Sequence, residues 1–140
     1  MNLRLQFDTT KINWDLVTET LKSVGMAYHT GDLNQLAFNN SFTVVFAFDD
    51  DKMVGFGRAI SDGAYQAAIY DVAVIPEYQG KGIGKMIIDN IIQRCPNCNF
   101  ILYAAPGKDQ FYEKCNFRRM KTGMALFTDI ERMKLRGFTE

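Results

Sequence analysis

Read as apolar and polar positions, the chain opens on strict alternation. Leu3, Leu5 and Phe7 interleave with Asn2, Arg4 and Gln6, which predicts a half-buried strand. The period then changes. Trp14, Val17, Leu21 and Val24 lie three and four apart, so they share one face of a helix that Asn13 caps and Gly25 stops. A weaker helical pattern follows, with Leu33, Leu36 and Ala37 on its apolar side. Residues 42–48, Phe-Thr-Val-Val-Phe-Ala-Phe, predict a strand. The acidic turn Asp49-Asp50-Asp51-Lys52 joins it to a second strand, Met53 to Ile60, as a hairpin. A turn at Asp62-Gly63 leads to a third strand, Ala67 to Ile75. Pro76 ends it, having no N–H for the ladder. A helix then starts within a glycine-rich stretch and runs to about Arg94, burying Ile87, Ile88, Ile91 and Ile92. Asn99 to Ala104 predicts another strand, stopped by Pro106-Gly107, and a short helix carries Phe111, Tyr112 and Cys115. Strand material is expected from Phe117 and again from Gly123 to Phe127. The order β-α-α-β-β-β-α-β-α-β-β, without linker, repeat or low-complexity segment, predicts one mixed α/β domain over residues 1–140.

Composition narrows the function classes. The hydrophobic share of 47% supports a substantial core and excludes disorder. Sixteen basic residues against sixteen acidic ones remove any general electrostatic drive toward nucleic acid, so none is expected as a partner. No apolar run approaches the roughly 20 residues of a membrane helix, and the first residues read as strand rather than signal peptide; no membrane partner is expected. Three cysteines, an odd number, argue against a disulfide framework and for a reducing cytoplasm.

The segment richest in chemistry is Val72-Ala73-Val74-Ile75-Pro76-Glu77-Tyr78-Gln79-Gly80-Lys81-Gly82-Ile83-Gly84-Lys85. A buried strand feeds three alternate glycines, and these feed a helix. Without side chains, Gly80, Gly82 and Gly84 let a ligand approach the backbone closely. The first helical N–H groups point outward at the positive end of the helix dipole, an anion site suited to phosphate or pyrophosphate. Lys81 and Lys85 add positive charge. The two common nucleotide fingerprints fail. A Walker A loop needs Gly-Lys followed by Ser or Thr, but Met86 follows Gly84-Lys85 and Gln79 stands where its first glycine belongs. The dinucleotide pattern needs a glycine where Ile87 stands.

Gln79-Gly80-Lys81-Gly82-Ile83-Gly84 resembles the Gln/Arg-x-x-Gly-x-Gly/Ala signature of the GNAT superfamily of N-acetyltransferases. Val72 to Tyr78 is similar to that family's preceding strand and turn. Phe111-Tyr112-Glu113-Lys114-Cys115-Asn116-Phe117 is similar to its later Phe-Tyr-x-x-x-Gly-Phe segment. Val54-Gly55-Phe56-Gly57-Arg58-Ala59 and Ile69-Tyr70-Asp71-Val72 resemble the branch that contains plant chloroplast serotonin acetyltransferases. The resemblance implies the α+β acyl-CoA N-acyltransferase fold with its mixed sheet, and acetyl-CoA as cosubstrate. It implies that backbone N–H groups from Gln79, Gly80, Lys81, Gly82, Ile83, Gly84 and Lys85 hold the pyrophosphate. Val72, Ala73 and Val74 would pair with the pantetheine arm, and Tyr112 would protonate the departing thiolate. The chemistry fits a phenol: with a pKa near 10 it can supply the proton as the C–S bond breaks. The family's usual glycine is replaced by Asn116, the next most tolerant residue for closing a helix in a left-handed conformation.

The attacking amine sets a further requirement. An alkylamine of pKa about 10.4 is unprotonated at pH 7 in only roughly 1 part in 2,500, a penalty of about 4.6 kcal/mol. Asp71, beside the cofactor strand, is the candidate base, acting directly or through water; ordering a loop or capping a backbone group is the alternative role. Tyr70 is a weaker candidate, because alternation sends it to the opposite face.

Other motifs carry less. Cys95-Pro96-Asn97-Cys98 falls at a helix C-terminus, the wrong polarity for a redox pair, and reads as buried or half-buried thiols. With Cys115 and His29 scattered, no four-ligand zinc set forms and no metal is expected. His29 is expected in a loop with a surface or packing role, substrate binding being the alternative, and Asp49-Asp50-Asp51 is expected to be a solvated hairpin turn rather than a metal site. The tail from Asp129 to Glu140 either packs through Ile130, Met133 and Leu135 or mediates homodimer contacts. The leading expectation is acetylation of a small primary amine, an arylalkylamine or polyamine. The alternatives are a protein or peptide amine within the same chemistry, or a silent acyl-CoA-binding sensor.

Overall fold

A computed structural model describes residues 1–140, in two compact units, Met1–Leu102 and Tyr103–Glu140. The first unit is built on a five-stranded sheet in the sequential order β1 (Leu3–Gln6), β2 (Thr43–Asp49), β3 (Lys52–Ser61), β4 (Gln66–Val74) and β5 (Asn99–Ile101). All neighbours are antiparallel except β4 and β5, which run parallel. The mixed sheet with helices is the expected α+β class.

Helix α1 (Trp14–Ser23) begins where the sequence predicts, the Asn13 side chain accepting from the Leu16 N–H. Helix α2 (Gly31–Asn39) is capped in the same way by Thr30. Val17 and Leu21 of α1 pack with Phe38 of α2 on Val44, Phe46, Phe56 and Ala73 of the sheet. Trp14, Phe38, Phe46 and Phe56 form an aromatic cluster with centroid spacings from 5.5 to 6.3 Å. The inward face of α2 is not the expected one: Leu33 and Leu36 are 53% and 59% exposed, while Asn34 and Phe38 are buried. Asn34 is tolerated inside because its Nδ2 donates to Thr18 Oγ1 at 2.8 Å and to the His29 carbonyl at 3.4 Å.

Helix α3 (Ile83–Arg94) buries Ile83, Ile87, Ile88 and Ile91. It lies on the side toward which Gly55 and Gly57 of β3 point. A Cβ at Gly57 would stand 2.9 Å from Ile87 Cγ2 and 3.2 Å from Ile91 Cδ1, so the glycines set how closely helix and sheet approach. Cys95, the C-cap of α3, is buried and free, and burial pushes its thiol pKa up. Cys98 is free too, its Sγ 3.7 Å from Ser61 Oγ. The C-x-x-C pair is thus one buried and one half-buried free thiol.

The second unit departs most from the pattern-based reading. It holds α4 (Asp109–Lys114) and α5 (Ile130–Leu135), and no strand. The strands expected from Phe117 and from Gly123 to Phe127 are absent, and β5 stops at Ile101 rather than Ala104. Alternation selects a strand only when a neighbouring ladder takes up its N–H and C=O groups, and residues 103–140 contain no such ladder. Met124 and Leu126, which alternation would have buried, are 98% and 90% exposed. Of the three tail residues expected to pack, only Met133 is half-buried. Ile130 and Leu135 are exposed, while Phe138 and Phe127 close on Tyr103 with edge-to-face centroid distances of 6.0 and 5.4 Å. No helix is long and apolar enough to cross a membrane.

Candidate active site

The pairing of β4 is uneven. Its first residues, Gln66, Ala67 and Ala68, pair with Asn99, Phe100 and Ile101 of β5. Beyond that point β5 has ended, so the sheet pairs residues 69–74 only with β3. Val72, Ala73 and Val74 therefore sit on a strand with one edge left open by β5. An extended chain of amide groups finds there a ready strand partner.

At the end of that edge the chain turns into α3. Pro76–Tyr78 forms a 3₁₀ turn, and Gln79 Nε2 donates to the Val74 carbonyl at 2.9 Å, tying the turn to the strand. Gly80 and Gly82 have φ of +79° and +83°, the left-handed region that glycine adopts without strain. A Cβ built on either would meet nothing within 4 Å, so the space outside the turn is open to a ligand. Gly82 is the N-cap of α3; no side chain caps the first turn, and no acidic residue stands in it. The N–H groups of Ile83 and Gly84 head this uncapped turn, an anion-binding arrangement. Lys81 Nζ lies 5.7 Å from the Tyr78 ring centroid, while Lys85 pairs with Asp89 at 2.7 Å on the same helix. The Tyr78 hydroxyl donates to Asp49 Oδ2 at 2.6 Å; that bond lowers the Asp49 pKa and raises the tyrosine's. The ten residues expected to hold coenzyme A thus form one continuous strand, turn and helix start. These residues fit a pyrophosphate with an amide-bearing arm.

Asp71 opens this segment and breaks the strand. Its φ is +56°, and the β3–β4 register shifts between Phe56 and Arg58, so β4 carries a bulge there. Alternation fails at the bulge. Asp71 and Tyr70 both reach Arg58: Nε donates to Asp71 Oδ2 at 2.8 Å, and the guanidinium lies 5.4 Å from the Tyr70 centroid. The expectation that these two residues face apart is corrected accordingly. Arg58 is the residue that sequence reading missed. It sits thirteen positions from Asp71, and only the cross-strand register joins them. Its guanidinium also lies 5.6 Å from the Phe38 ring, and Nη1 reaches Ser41 Oγ at 3.4 Å.

Tyr112 belongs to the second unit, on α4. Its ring packs edge-to-face on Phe111 at 4.9 Å and Phe117 at 6.0 Å. Burial, with a smaller contribution from the neighbouring Cys115, pushes its pKa up to about 12. Asn116 closes the helix in the left-handed conformation expected of it, at φ +71°. Its N–H donates to the Glu113 carbonyl and the Phe117 N–H to the Tyr112 carbonyl, both at 3.0 Å, a Schellman closure.

A family model described as Acetyltransferase (GNAT) family matches residues 10–117. The N-acetyltransferase ycf52 of Pyropia yezoensis is 31% identical over 120 residues, covering 81% of this chain and 69% of the relative. The chloroplastic GCN5-related N-acetyltransferase 2 of Arabidopsis thaliana is 35% identical over 78 residues, 54% of this chain and 30% of the longer relative. A crystal structure assigned to the GNAT family, from Xanthomonas campestris pv. campestris, shares the fold with a TM-score of 0.79. It is 24% identical and covers 91% of this chain and 94% of its own. With the strand, turn and helix start described above, the family model and the Pyropia relative establish that the chain belongs to the acetyltransferase (GNAT) family, enzymes that take an acetyl group from acetyl-CoA.

Proposed function

We propose that this N-acetyltransferase acts on a small primary amine by direct attack in a ternary complex. The observation that carries the reading is the open edge of residues 69–74 running into the uncapped turn at Gly80 and Gly82, with the Asp71 carboxylate at its head. The pyrophosphate of acetyl-CoA lies against the backbone from Gln79 to Lys85, and the pantetheine amides pair along Val72, Ala73 and Val74. The acceptor arrives as an ammonium ion and is held by Asp71. That carboxylate, directly or through water, carries the proton on to solvent; it supplies the route, while the roughly 4.6 kcal/mol set by an amine pKa of about 10.4 is still met within the overall barrier. The amine nitrogen attacks the thioester carbon, the oxyanion collapses, and the C–S bond breaks. The phenol of Tyr112 gives its proton to the departing sulfur and is reprotonated from solvent. Residues 1–140 act in this reaction as one catalytic domain.

Of the two small-amine classes, a polyamine places a second cation beside the Arg58 guanidinium, whereas an arylalkylamine does not. The three free cysteines suit a reducing compartment, the cytoplasm or, as in the name of the Arabidopsis relative, a chloroplast. The test is an assay of free coenzyme A thiol with acetyl-CoA and a panel of monoamines, polyamines, peptides and lysine-rich protein. Turnover with monoamines is the expected result. Turnover with peptides or protein alone would move the acceptor to that class, and tight acetyl-CoA binding without thiol release for any acceptor would make the chain a sensor.

A further inference from the structure

The ion pair at the β4 bulge is joined by one bond only. Arg58 Nε donates to Asp71 Oδ2 at 2.8 Å, rather than the two parallel bonds a guanidinium and a carboxylate can form. Nη1 makes one long bond to Ser41 Oγ, and neither Arg58 Nη2 nor Asp71 Oδ1 takes a protein hydrogen bond. The arginine is nevertheless well enclosed. Its side chain is 15% exposed and that of Asp71 25%, with the rings of Phe38 and Tyr70 near the guanidinium. No buried polar side-chain atom lacks a partner anywhere in the chain, so these two uncommitted atoms remain open to solvent or ligand. One acceptor and one charged donor thus stand together, where β4 turns from its bulge toward Val72–Val74.

We propose that this half-committed pair is a subsite for a zwitterion, and that the acceptor is a free α-amino acid. Asp71 Oδ1 accepts from the α-ammonium and Arg58 Nη2 donates to the α-carboxylate. An α-amino acid carries those two charges on adjacent carbons, so one small molecule engages both. A simple amine satisfies Asp71 and leaves the guanidinium hydrated. A polyamine sets a second cation against it. The proposal rests on Asp71 holding the acceptor amine, and it adds Arg58 as the residue that selects among amines.

Matched acceptors test it without any variant: phenylalanine, its amide and phenethylamine, then tryptophan, its amide and tryptamine. Thiol release gives kcat/KM, and calorimetry gives the affinity of each for the enzyme–coenzyme A complex. The acid of each set is expected to exceed its amide and its amine by about 10- to 100-fold, the weight of a charge-assisted pair. Arg58→Gln is expected to bring the three to within about 3-fold of one another. Loss of Asp71's partner affects all three alike, so the ratio isolates the carboxylate contact; an unchanged acetyl-CoA affinity certifies the fold. Equal or better turnover of the amines overturns the subsite and leaves acetyl transfer to small amines standing. Arg58-dependent binding of the acid without turnover supports the subsite and overturns the catalytic reading. Neither binding nor turnover of the acids overturns the subsite.

Discussion

At the scale of single residues, the burial of Tyr112 decides what kind of acid it can be. With its pKa at about 12, the phenol stays protonated through any working pH. Against an alkyl thiol of roughly 8.5, complete transfer of its proton runs uphill by 3 to 4 units, about 5 kcal/mol. As the proposed acid, Tyr112 would therefore hydrogen-bond to the leaving sulfur and give up its proton only as the C–S bond breaks. Tyr112→Phe is expected to lower kcat by about 100-fold, the low end for general acid catalysis, with acetyl-CoA affinity kept. Unchanged single-turnover rates would remove it from the mechanism. Asn116 offers a second check on the same helix. At φ +71° a glycine relieves left-handed strain, so Asn116→Gly should raise stability by a few tenths to about 1 kcal/mol, read as a higher urea midpoint at constant slope. The left-handed closure at Asn116 was legible in the sequence, because the Phe-Tyr-x-x-x-x-Phe segment marks it directly. Arg58 was not, since the register that sets it beside Asp71 is a property of two paired strands.

Among the elements, α3 and its turn were read correctly because every determinant is local: alternate glycines, a proline stop, and isoleucines at helical spacing. The bulge at Asp71 was illegible for the opposite reason. It depends on how β4 meets β3, and strict alternation cannot represent two residues set against one. The strands expected after Phe117 failed likewise, their pattern being sound but their ladder absent. Glycines in the two settings should respond differently to substitution. At Gly55 a Cβ would stand 2.9 Å from the Ala73 carbonyl oxygen and 3.1 Å from Ile87 Cδ1, where backbone cannot yield. Gly55→Ala should cost about 1–3 kcal/mol of stability. Gly82 meets no neighbour, so Gly82→Ala costs only its left-handed backbone, about 1 kcal/mol. Gly82→Glu adds a negative charge at the uncapped turn and should abolish acetyl-CoA binding while the chain stays folded. Retained affinity by calorimetry would place the pyrophosphate elsewhere.

For the whole molecule, balanced charge and a full apolar core were plain from composition, but the pH limits of stability come from hydrogen bonds on the acid side and from burial on the alkaline side, which composition does not reveal. Asp62 Oδ1 accepts from the N–H groups of Ala64, Tyr65 and Gln66 at 2.8, 2.9 and 3.1 Å, and these bonds hold its pKa below the ordinary 3.8. Asp49 is held low mainly by the Tyr78 hydroxyl and then by the Asn2 N–H. As pH falls through 3.8 the unfolded chain takes up protons that these folded carboxylates still refuse. Stability therefore rises with pH across that window: it is fully present above 3.8 and is lost as pH drops through the lowered folded values. Tyr112 acts with the opposite sign. Its folded pKa of about 12 exceeds the ordinary 10.0, so its share is present below pH 10 and is lost between 10 and 12. The melting temperature should hold a plateau through neutral pH and fall at both ends. Tyr112→Phe removes the Tyr112 part of the alkaline fall. Asp62→Asn keeps an oxygen at the β3–β4 turn without a titrating carboxylate, so it should lower the plateau and flatten the acid limb. An acid limb of unchanged steepness in both Asp62→Asn and Asp49→Asn would mean that carboxylates outside these two turns govern acid unfolding.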